Sequence, residues 1–548
     1  MSRTGDLSWP LRRAARLYGD VVGVTAGGRS LTYAKLARRV AGLGTALEAL
    51  EIQAGARVGF LGANSLAHLE CWLGVPAFGH VLVDLNFRLA EDELAFMVDD
   101  AAVELLVVDA EQIEVARALR ERTPSLRHLV LDAPGQVADD CLTYEDLVAS
   151  EPGIAPGADP DALAAISYTG GTTGMPKGVM LSHGNLLANA HHNLLATGHR
   201  AGDRFLHVCP MFHAAGTANV FACTWVGAGQ VVLPRFDAEG VLSTIERERI
   251  SHTVLVPTML AMLLDAPSSS AADLSSLRNV QYAASPISSD LQRRVLEWLD
   301  CEVAQFYGMT EAAPTVTHLS PEDHRLGSAG QEPYRSRLAS AGVPVPGVEV
   351  EVRRASGEVC PSNEIGELWV RGPNIMLGYW NRPEATAAAL VDGWYRTGDA
   401  AYADEHCYLF MVDRLKDMII TGGENVYSTE VESVLSAHAA VLEAAVFGVP
   451  HDRWGEAVHA VVTVPSRAEV TQEELIAHCR SSIAGFKVPR AIDVQIEPLP
   501  KSGAGKVLKN RLREPFWAAQ NSGSGTAKGL DVPAVSGNLI LESATEER

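Results

Sequence analysis

Between Leu36 and Asp109 the apolar residues switch repeatedly between helical spacing and short unbroken runs, and this switching constrains the fold most. Leu36 to Leu50 (LARRVAGLGTALEAL) puts apolar residues at helical intervals, and Arg57-Val-Gly-Phe-Leu-Gly then reads as a strand. A helical stretch from Ala67 to Phe78 follows, then strand-like runs at His80-Val-Leu-Val-Asp-Leu and Glu104-Leu-Leu-Val-Val-Asp. Such alternation predicts a mostly parallel sheet covered by helices. The rhythm resumes from Arg204 to Phe306, with strands expected at Gln230-Val-Val-Leu and His252-Thr-Val-Leu-Val. From Val343 to Arg371 the pieces become short and strand-rich (Val348-Glu-Val-Glu-Val, Gly366-Glu-Leu-Trp-Val), which predicts an antiparallel unit.

A chain of 548 residues exceeds what one core usually holds, so more than one domain is expected. The pattern changes after Asp413-Arg414. There Ala444-Ala-Val-Phe-Gly-Val, Ala457-Val-His-Ala-Val-Val-Thr-Val and Ile492-Asp-Val-Gln-Ile flank a helical stretch from Gln472 to Ile483, enough for a small independent domain. Past Arg513 the chain turns Gly/Ser-rich (Asn521-Ser-Gly-Ser-Gly-Thr), which reads as a flexible tail. The expected division is 1–412, 413–513 and 514–548, in an α/β fold class.

Charge narrows the partners. With 45 Lys+Arg against 67 Asp+Glu the formal charge is −22, a field that repels nucleic-acid phosphates and anionic lipids. Any phosphate-bearing ligand then needs local cations and backbone N–H groups. The eight cysteines are scattered with no Cys-x-x-Cys pair, so neither a disulfide framework nor a zinc site is expected, and they read as core thiols. Phe205 to Leu233 lacks Asp, Glu, Lys and Arg and is long enough to cross a bilayer. Pro210, Gly216, Gly227 and Gly229 break it, however, so it reads as buried strands and helices, with no integral membrane segment. The first residues carry no apolar signal core and the last three match no sorting address, so a cytoplasmic location is expected.

The sharpest chemical signal is Ser167-Tyr-Thr-Gly-Gly-Thr-Thr-Gly-Met-Pro-Lys-Gly178. The apolar Ala164-Ala-Ile leads in and Val179-Met-Leu leads out, both as strands. Gly170, Gly171, Gly174 and Gly178 leave backbone N–H groups uncovered, Thr169, Thr172 and Thr173 add hydroxyl donors, and Lys177 adds a charge. That set suits a polyphosphate, each charge-assisted contact contributing roughly 1.5–3 kcal/mol. It is not a Walker A loop, because Met175-Pro176 replace the Gly before the lysine and a strand follows. A second group, Gln305-Phe-Tyr-Gly-Met-Thr-Glu311, puts a hydroxyl beside a carboxylate at a strand end, which suits a Mg²⁺-nucleotide. Thr-Glu also opens helices. The third is Trp394-Tyr-Arg-Thr-Gly-Asp399 followed by Asp413-Arg-Leu-Lys-Asp-Met-Ile-Ile-Thr-Gly-Gly-Glu-Asn425. The fourth, Pro500-Lys-Ser-Gly-Ala-Gly-Lys506, taken singly reads as a solvated turn.

In content, order and spacing the four together resemble the adenylate-forming superfamily, in its acyl-CoA synthetase branch, from Ser30 to Arg513. The resemblance implies a large N-terminal domain of α/β subdomains plus a small β-rich subdomain, and a small mobile α+β C-terminal domain, with the active site between them. It implies that the Thr169–Lys177 loop closes over the β- and γ-phosphates of ATP. Ala283, Ala284 and Ser285 would flank adenine, with Tyr307 and Gly308 on its other side. Thr310 would touch phosphate and Glu311 would hold Mg²⁺. Asp399 would accept the ribose hydroxyls, with Arg414 reaching the same sugar. Lys506 matches the adenylation lysine that bridges the substrate carboxylate and the α-phosphate, and Lys416 falls at the hinge. His213 is implied beside the carboxylate, with a core histidine as the alternative. Gly422, Gly423, Glu424 and Lys487 lie in runs that look like those lining the CoA tunnel.

Peptide-synthetase relatives carry an aspartate near Met211-Phe-His-Ala-Ala-Gly216, where this chain has no acidic residue, so an amino-acid substrate is disfavoured. Three departures stand out. Gly170 replaces a common serine, Ala283 replaces a common glycine, and Ile420 replaces the lysine of plant aromatic-acid ligases. The expected activity is an ATP-dependent carboxylate–CoA ligase forming acyl-AMP and then acyl-CoA. Medium- or long-chain fatty acids come first and aryl acids next. Loading of a carrier protein is the within-class alternative, and a non-catalytic nucleotide-binding scaffold is the different-class one. The implied partners are a small carboxylic acid, ATP, Mg²⁺ and CoA, with no nucleic acid and a homodimer as the candidate assembly.

Overall fold

The computed structural model describes residues 5–133, 135–136, 138–169, 176–466, 470–501 and 507–521. Four sheets organise them. The largest has nine strands and a central run that is parallel, in the order Glu302–Gly308, Asn279–Ala283, His252–Leu255, Arg204–His207, Gly229–Val232 and Val22–Ala26. Antiparallel strands close both edges. An eight-stranded sheet holds Val81–Leu85, Arg57–Leu61, Val103–Asp109 and His128–Asp132 in parallel, and ends in the antiparallel hairpin Leu163–Thr169 with Lys177–Ser182.

The expected α/β rhythm is therefore present in both large sheets, for the expected reason. Strands buried on both faces need mostly apolar side chains, and all of Val81–Leu85 is buried, with its one charged residue, Asp84, held by His68 and Trp72. One apolar core takes residues from both sheets (Val24 and Val232 from one, Phe60 and Val107 from the other) and from helices such as Tyr33–Ala49 and Leu66–Gly74. Tyr33 is fully buried and its hydroxyl donates to the Ala228 carbonyl at 2.5 Å, so its polar tip is satisfied inside that core. The uncharged Phe205–Leu233 stretch resolves into Arg204–His207, two short helices (Ala214–Thr217 and Val220–Val226) and Gly229–Val232. Among the described residues no helix is long and apolar enough to cross a membrane.

The strand-rich middle forms an all-antiparallel five-stranded sheet, built on Glu349–Arg353, Gly366–Arg371 and Trp394–Ala403, with Leu409–Arg414 paired to the last. A fourth sheet, with Ile419–Thr421, Glu443–His451, Gly455–Thr463 and Ala491–Gln495, makes the smaller C-terminal α+β unit with its own core. Only residues 415–418 separate the third and fourth sheets.

Two expectations need correction. The helix Lys509–Asn521 runs on past Arg513 into the stretch read as tail. There Trp517 donates its indole N–H to the Gly448 carbonyl at 3.1 Å, and Phe516 packs on Phe447 and His459. Apolar residues at 516 and 517 anchor it, a signal that the following Gly/Ser composition obscures. The cysteines are all free, but only Cys71, Cys209, Cys223 and Cys479 are buried, whereas Cys407 is exposed in a turn at φ +65°.

Candidate active site

The parallel strands of the nine-stranded sheet end side by side, and their C-terminal ends deliver the candidate residues. In such sheets ligands bind outside the carboxyl ends of the strands. Ala283 closes Asn279–Ala283 and pairs with Phe306, so Ala283-Ala284-Ser285 and Tyr307-Gly308 leave adjacent strands together. The left-handed backbone falls on Ala284, at φ +77°, not on Ala283, whose replacement of glycine was singled out from the sequence. Gly308 is required by close approach. A Cβ there would sit 1.8 Å from the Pro314 carbonyl oxygen, because the chain folds straight back through the Thr310–Ala312 turn.

That turn carries Thr310 and Glu311. The Glu311 carboxylate accepts from the Tyr379 hydroxyl at 3.0 Å, and the Glu311 carbonyl accepts from the Met376 N–H at 2.9 Å. Tyr379 belongs to the edge strand Gly378–Tyr379, which pairs with Lys177–Ser182. Lys177 lies 5.1 Å from the Tyr379 ring centroid. Thr169 pairs with Lys177 across the hairpin, so the loop between them starts and ends at this place. Gly170, Gly171, Thr172, Thr173 and Gly174 lie outside the described residues.

The third component comes from the five-stranded sheet. Asp399 and Arg414 are direct cross-strand partners, with Arg414 Nε 2.7 Å from the carboxylate. The Tyr307 hydroxyl donates to the other carboxylate oxygen at 2.6 Å. Burial pushes the Tyr307 phenol well above its usual range and Asp399 pushes it further, so Tyr307 stays a neutral donor. Burial works against the Arg414 charge, yet Asp399, Tyr307 and Glu311 outweigh it and its pKa is raised. Glu311 thus faces Arg414 as well as Tyr379. The result is a connected cluster of two carboxylates, two cations and two phenols, assembled from three sheets. It offers cations for phosphate oxygens, a paired carboxylate for sugar hydroxyls, and an acidic side chain beside Thr310 that suits a hard divalent ion.

His213 occupies the N-cap position of the short helix Ala214–Thr217, its ring 4.9 Å from that of Phe212. Lys416 lies in the turn after Arg414, where the Leu415 N–H donates to the Gly398 carbonyl at 2.9 Å. Gly422 and Gly423, at φ +61° and +87°, form the tip of a tight hairpin ending in the exposed Glu424. Lys487 is paired with Glu430 at 2.8 Å, on the C-terminal unit's own surface. Lys506 lies outside the described residues; Lys501 and Val507, which bound its loop, are bridged to each other.

Sequence reasoning missed Tyr379, and nothing local in Gly378-Tyr379-Trp380 marks it. Its role depends on an edge strand meeting a turn 68 residues earlier in the chain.

The sequence model for AMP-binding enzymes matches residues 11–380, and that for the AMP-binding enzyme C-terminal domain matches residues 430–506. The chain belongs to the AMP-binding, adenylate-forming enzyme family. Within it the chain stands in the acyl-CoA synthetase branch, with acyl-AMP/acyl-CoA ligase chemistry. A feruloyl-CoA synthase from an Amycolatopsis species is 40% identical over 517 residues, covering 94% of this chain and 100% of the relative. The medium/long-chain-fatty-acid–CoA ligase FadD8 of Mycobacterium tuberculosis is 35% identical over 518 residues, covering 92% and 88%. Among solved structures, the amide bond synthetase McbA from Marinactinospora thermotolerans superposes with a TM-score of 0.82 at 34% identity, covering 93% of this chain and 100% of that one. The adenylate-forming architecture, a large α/β part and a smaller α+β part, is the fold described above.

Proposed function

We propose that the protein is an ATP-dependent carboxylate–CoA ligase acting on aryl acids. The observation that carries the ligase reading is the cluster of Tyr307, Glu311, Asp399, Arg414 and Lys177, brought together from three sheets with Thr310 beside Glu311. In this reading the 169–177 loop, with Gly170, Gly171, Thr172, Thr173 and Gly174, holds the β- and γ-phosphates. Ala283, Ala284 and Ser285 flank adenine opposite Tyr307 and Gly308, while Asp399 and Arg414 hold the ribose. Glu311, beside Thr310, would hold Mg²⁺, which when bound would supply positive charge to the phosphates.

The substrate carboxylate forms a bond to the α-phosphorus as the bond to pyrophosphate breaks. Two anions approach in that step, so Lys506 between them stabilises the transition state more than the ground state. The CoA sulfur then attacks the acyl carbonyl and the bond to AMP breaks. Lys416 serves as hinge between the two steps, and Gly422, Gly423, Glu424 and Lys487 line the path of the thiol; Lys487 must leave Glu430 to do so. His213 sits beside the carboxylate.

The sequence alone put fatty acids first. The 40% identity to a feruloyl-CoA synthase over its whole length, against 35% to a medium/long-chain fatty-acid ligase, supports aryl acids instead. The test is pyrophosphate release with Mg-ATP across benzoates, cinnamates and fatty acids, with and without CoA, with products identified by mass spectrometry. Aryl-CoA formation is expected. Turnover of fatty acids alone would refute the aryl assignment, and acyl-AMP without any thioester would refute CoA as acceptor.

A further inference from the structure

Two buried histidines meet at the N-terminal ends of the parallel strands, opposite the ends that carry the candidate active site. His199 follows the helix His183–Thr197, and Asp203 immediately precedes the strand Arg204–His207. His252 opens the neighbouring strand His252–Leu255. The two imidazole rings lie 4.4 Å apart between centroids. One donor atom from each of His199, Asp203 and His252 lies within 4.8 Å of the other two, and all three residues are buried.

Each ring uses one nitrogen and leaves the other bare. His199 Nε2 lies 3.1 Å from Asn219 Oδ1, and Asn219 Nδ2 donates to Gln281 Oε1 at 3.2 Å, which turns the amide oxygen toward the ring. An amide oxygen only accepts, so the proton is on Nε2 and Nδ1 is a lone pair. His252 Nδ1 lies 2.8 Å from Ser251 Oγ. That hydroxyl gives its one proton to the Arg204 carbonyl at 3.2 Å, so it accepts from Nδ1 and leaves Nε2 as a lone pair. Among the described residues neither His199 Nδ1 nor His252 Nε2 has a hydrogen-bond partner. Metal-binding histidines have this arrangement, one nitrogen free and the other N–H held by an outer acceptor.

Asp203 supplies the negative charge. One oxygen pairs with Arg278, and the other accepts the Arg200 backbone N–H at 2.8 Å. The Arg278 side chain is 40% exposed and that of Arg200 more so, so both guanidiniums can turn toward solvent. Asp203 also lines a surface cleft with Gly202 and Gly229, which gives an ion a way in.

We propose that His199, His252 and Asp203 bind a divalent transition metal of the Zn²⁺ type, which pins the 198–203 loop to the sheet. Two imidazoles and one carboxylate suit Zn²⁺, with water as fourth ligand, whereas Mg²⁺ takes oxygen donors. Zn–N and Zn–O distances of about 2.0–2.2 Å set tetrahedral ligand atoms about 3.4 Å apart, so the three need to close by about 1.4 Å at most. No cysteine takes part, and positions 199, 203 and 252 are too far apart in the chain to read as a motif.

The experiment titrates Zn²⁺ into the full chain after treatment with a chelator, without nucleotide, and follows heat and thermal melting. The wild type should bind one Zn²⁺ at micromolar affinity or tighter, and its melting temperature should rise. X-ray absorption of the one-equivalent complex should show imidazole and oxygen donors and no sulfur. His199→Gln and His252→Gln should each weaken binding by about 10–100-fold or more, since even an outer partner of a ligand is worth that much. His406→Ala, at an exposed position beside Glu405 and Cys407, should leave binding unchanged. No Zn²⁺ bound by the wild type, sulfur in the absorption spectrum, or unchanged binding in both histidine variants would overturn the proposal. If neither variant folds, the wild-type absorption spectrum decides it.

Discussion

The Tyr307 hydroxyl and the Asp399 carboxylate, 92 residues apart in the chain, meet at 2.6 Å and join the end of the nine-stranded sheet to the five-stranded one. Because Asp399 also pairs with Arg414 across the strand ladder, one buried carboxylate sets the positions of a phenol and a guanidinium.

Asp399→Ala removes the hydrogen-bond acceptor of Tyr307 and the ion-pair partner of Arg414. The orphaned Tyr307 donor should cost about 1–3 kcal/mol of stability. ATP affinity should fall by about two orders of magnitude if the ribose hydroxyls bind here, since each hydrogen bond to a charged group contributes roughly 1.5–3 kcal/mol. Calorimetric titration with ATP, alongside thermal melting, checks both. Unchanged ATP affinity would remove Asp399 from the nucleotide site.

Gly308→Ala forces a methyl group into the Pro314 carbonyl. Overpacking of this kind costs about 1–3 kcal/mol, and the displaced element is the Thr310–Glu311 turn. Adenylation should drop together with denaturant stability. A variant of wild-type stability and rate would mean that the backbone reversal is looser than described.

Lys506→Ala should lower adenylation by about 10²–10³, the usual loss for one group placed on developing charge. Thioester formation from supplied acyl-AMP and CoA should be far less affected, because the lysine acts on the first step. Single-turnover assays of the two half-reactions separate these outcomes.

Acid should destabilise the protein through its buried histidines. Burial lowers His183, His192, His199 and His207 from 6.5 to about 4. The unfolded chain then binds more protons than the folded one between these values. The contribution to stability is complete above about pH 6.5 and is lost as pH falls toward about 4. His183 is the clearest case, since its Nδ1 accepts the Leu7 N–H at 3.2 Å and must be unprotonated to do so. Urea midpoints should fall across this window, and His183→Gln should flatten the slope. A flat midpoint from neutrality to about pH 4 would contradict the assignment.

Much of the scaffold was legible because strand burial writes itself locally. Val81–Leu85 and Val103–Asp109 are mostly apolar runs since both faces are covered, and Glu349–Arg353 alternates Glu and Val along an antiparallel sheet. The Thr310-Glu311 pair was legible for a similar reason, since its hydroxyl and carboxylate stand in adjacent positions of the chain.

The amino-acid order by itself determined the α/β strand–helix rhythm, the separate C-terminal unit, and the short motifs whose neighbours in space are also neighbours in sequence. Only the tertiary structure decided the partnerships: Glu311 with Tyr379, Asp399 with Tyr307, Gln281 with Asn219, and Phe516 and Trp517 on the C-terminal sheet. The physical reason is that periodicity reports which face of an element is buried but not what it is buried against. That second fact depends on strand order and crossover connections, which bring side chains from distant segments within hydrogen-bond reach and leave no pattern in either segment alone.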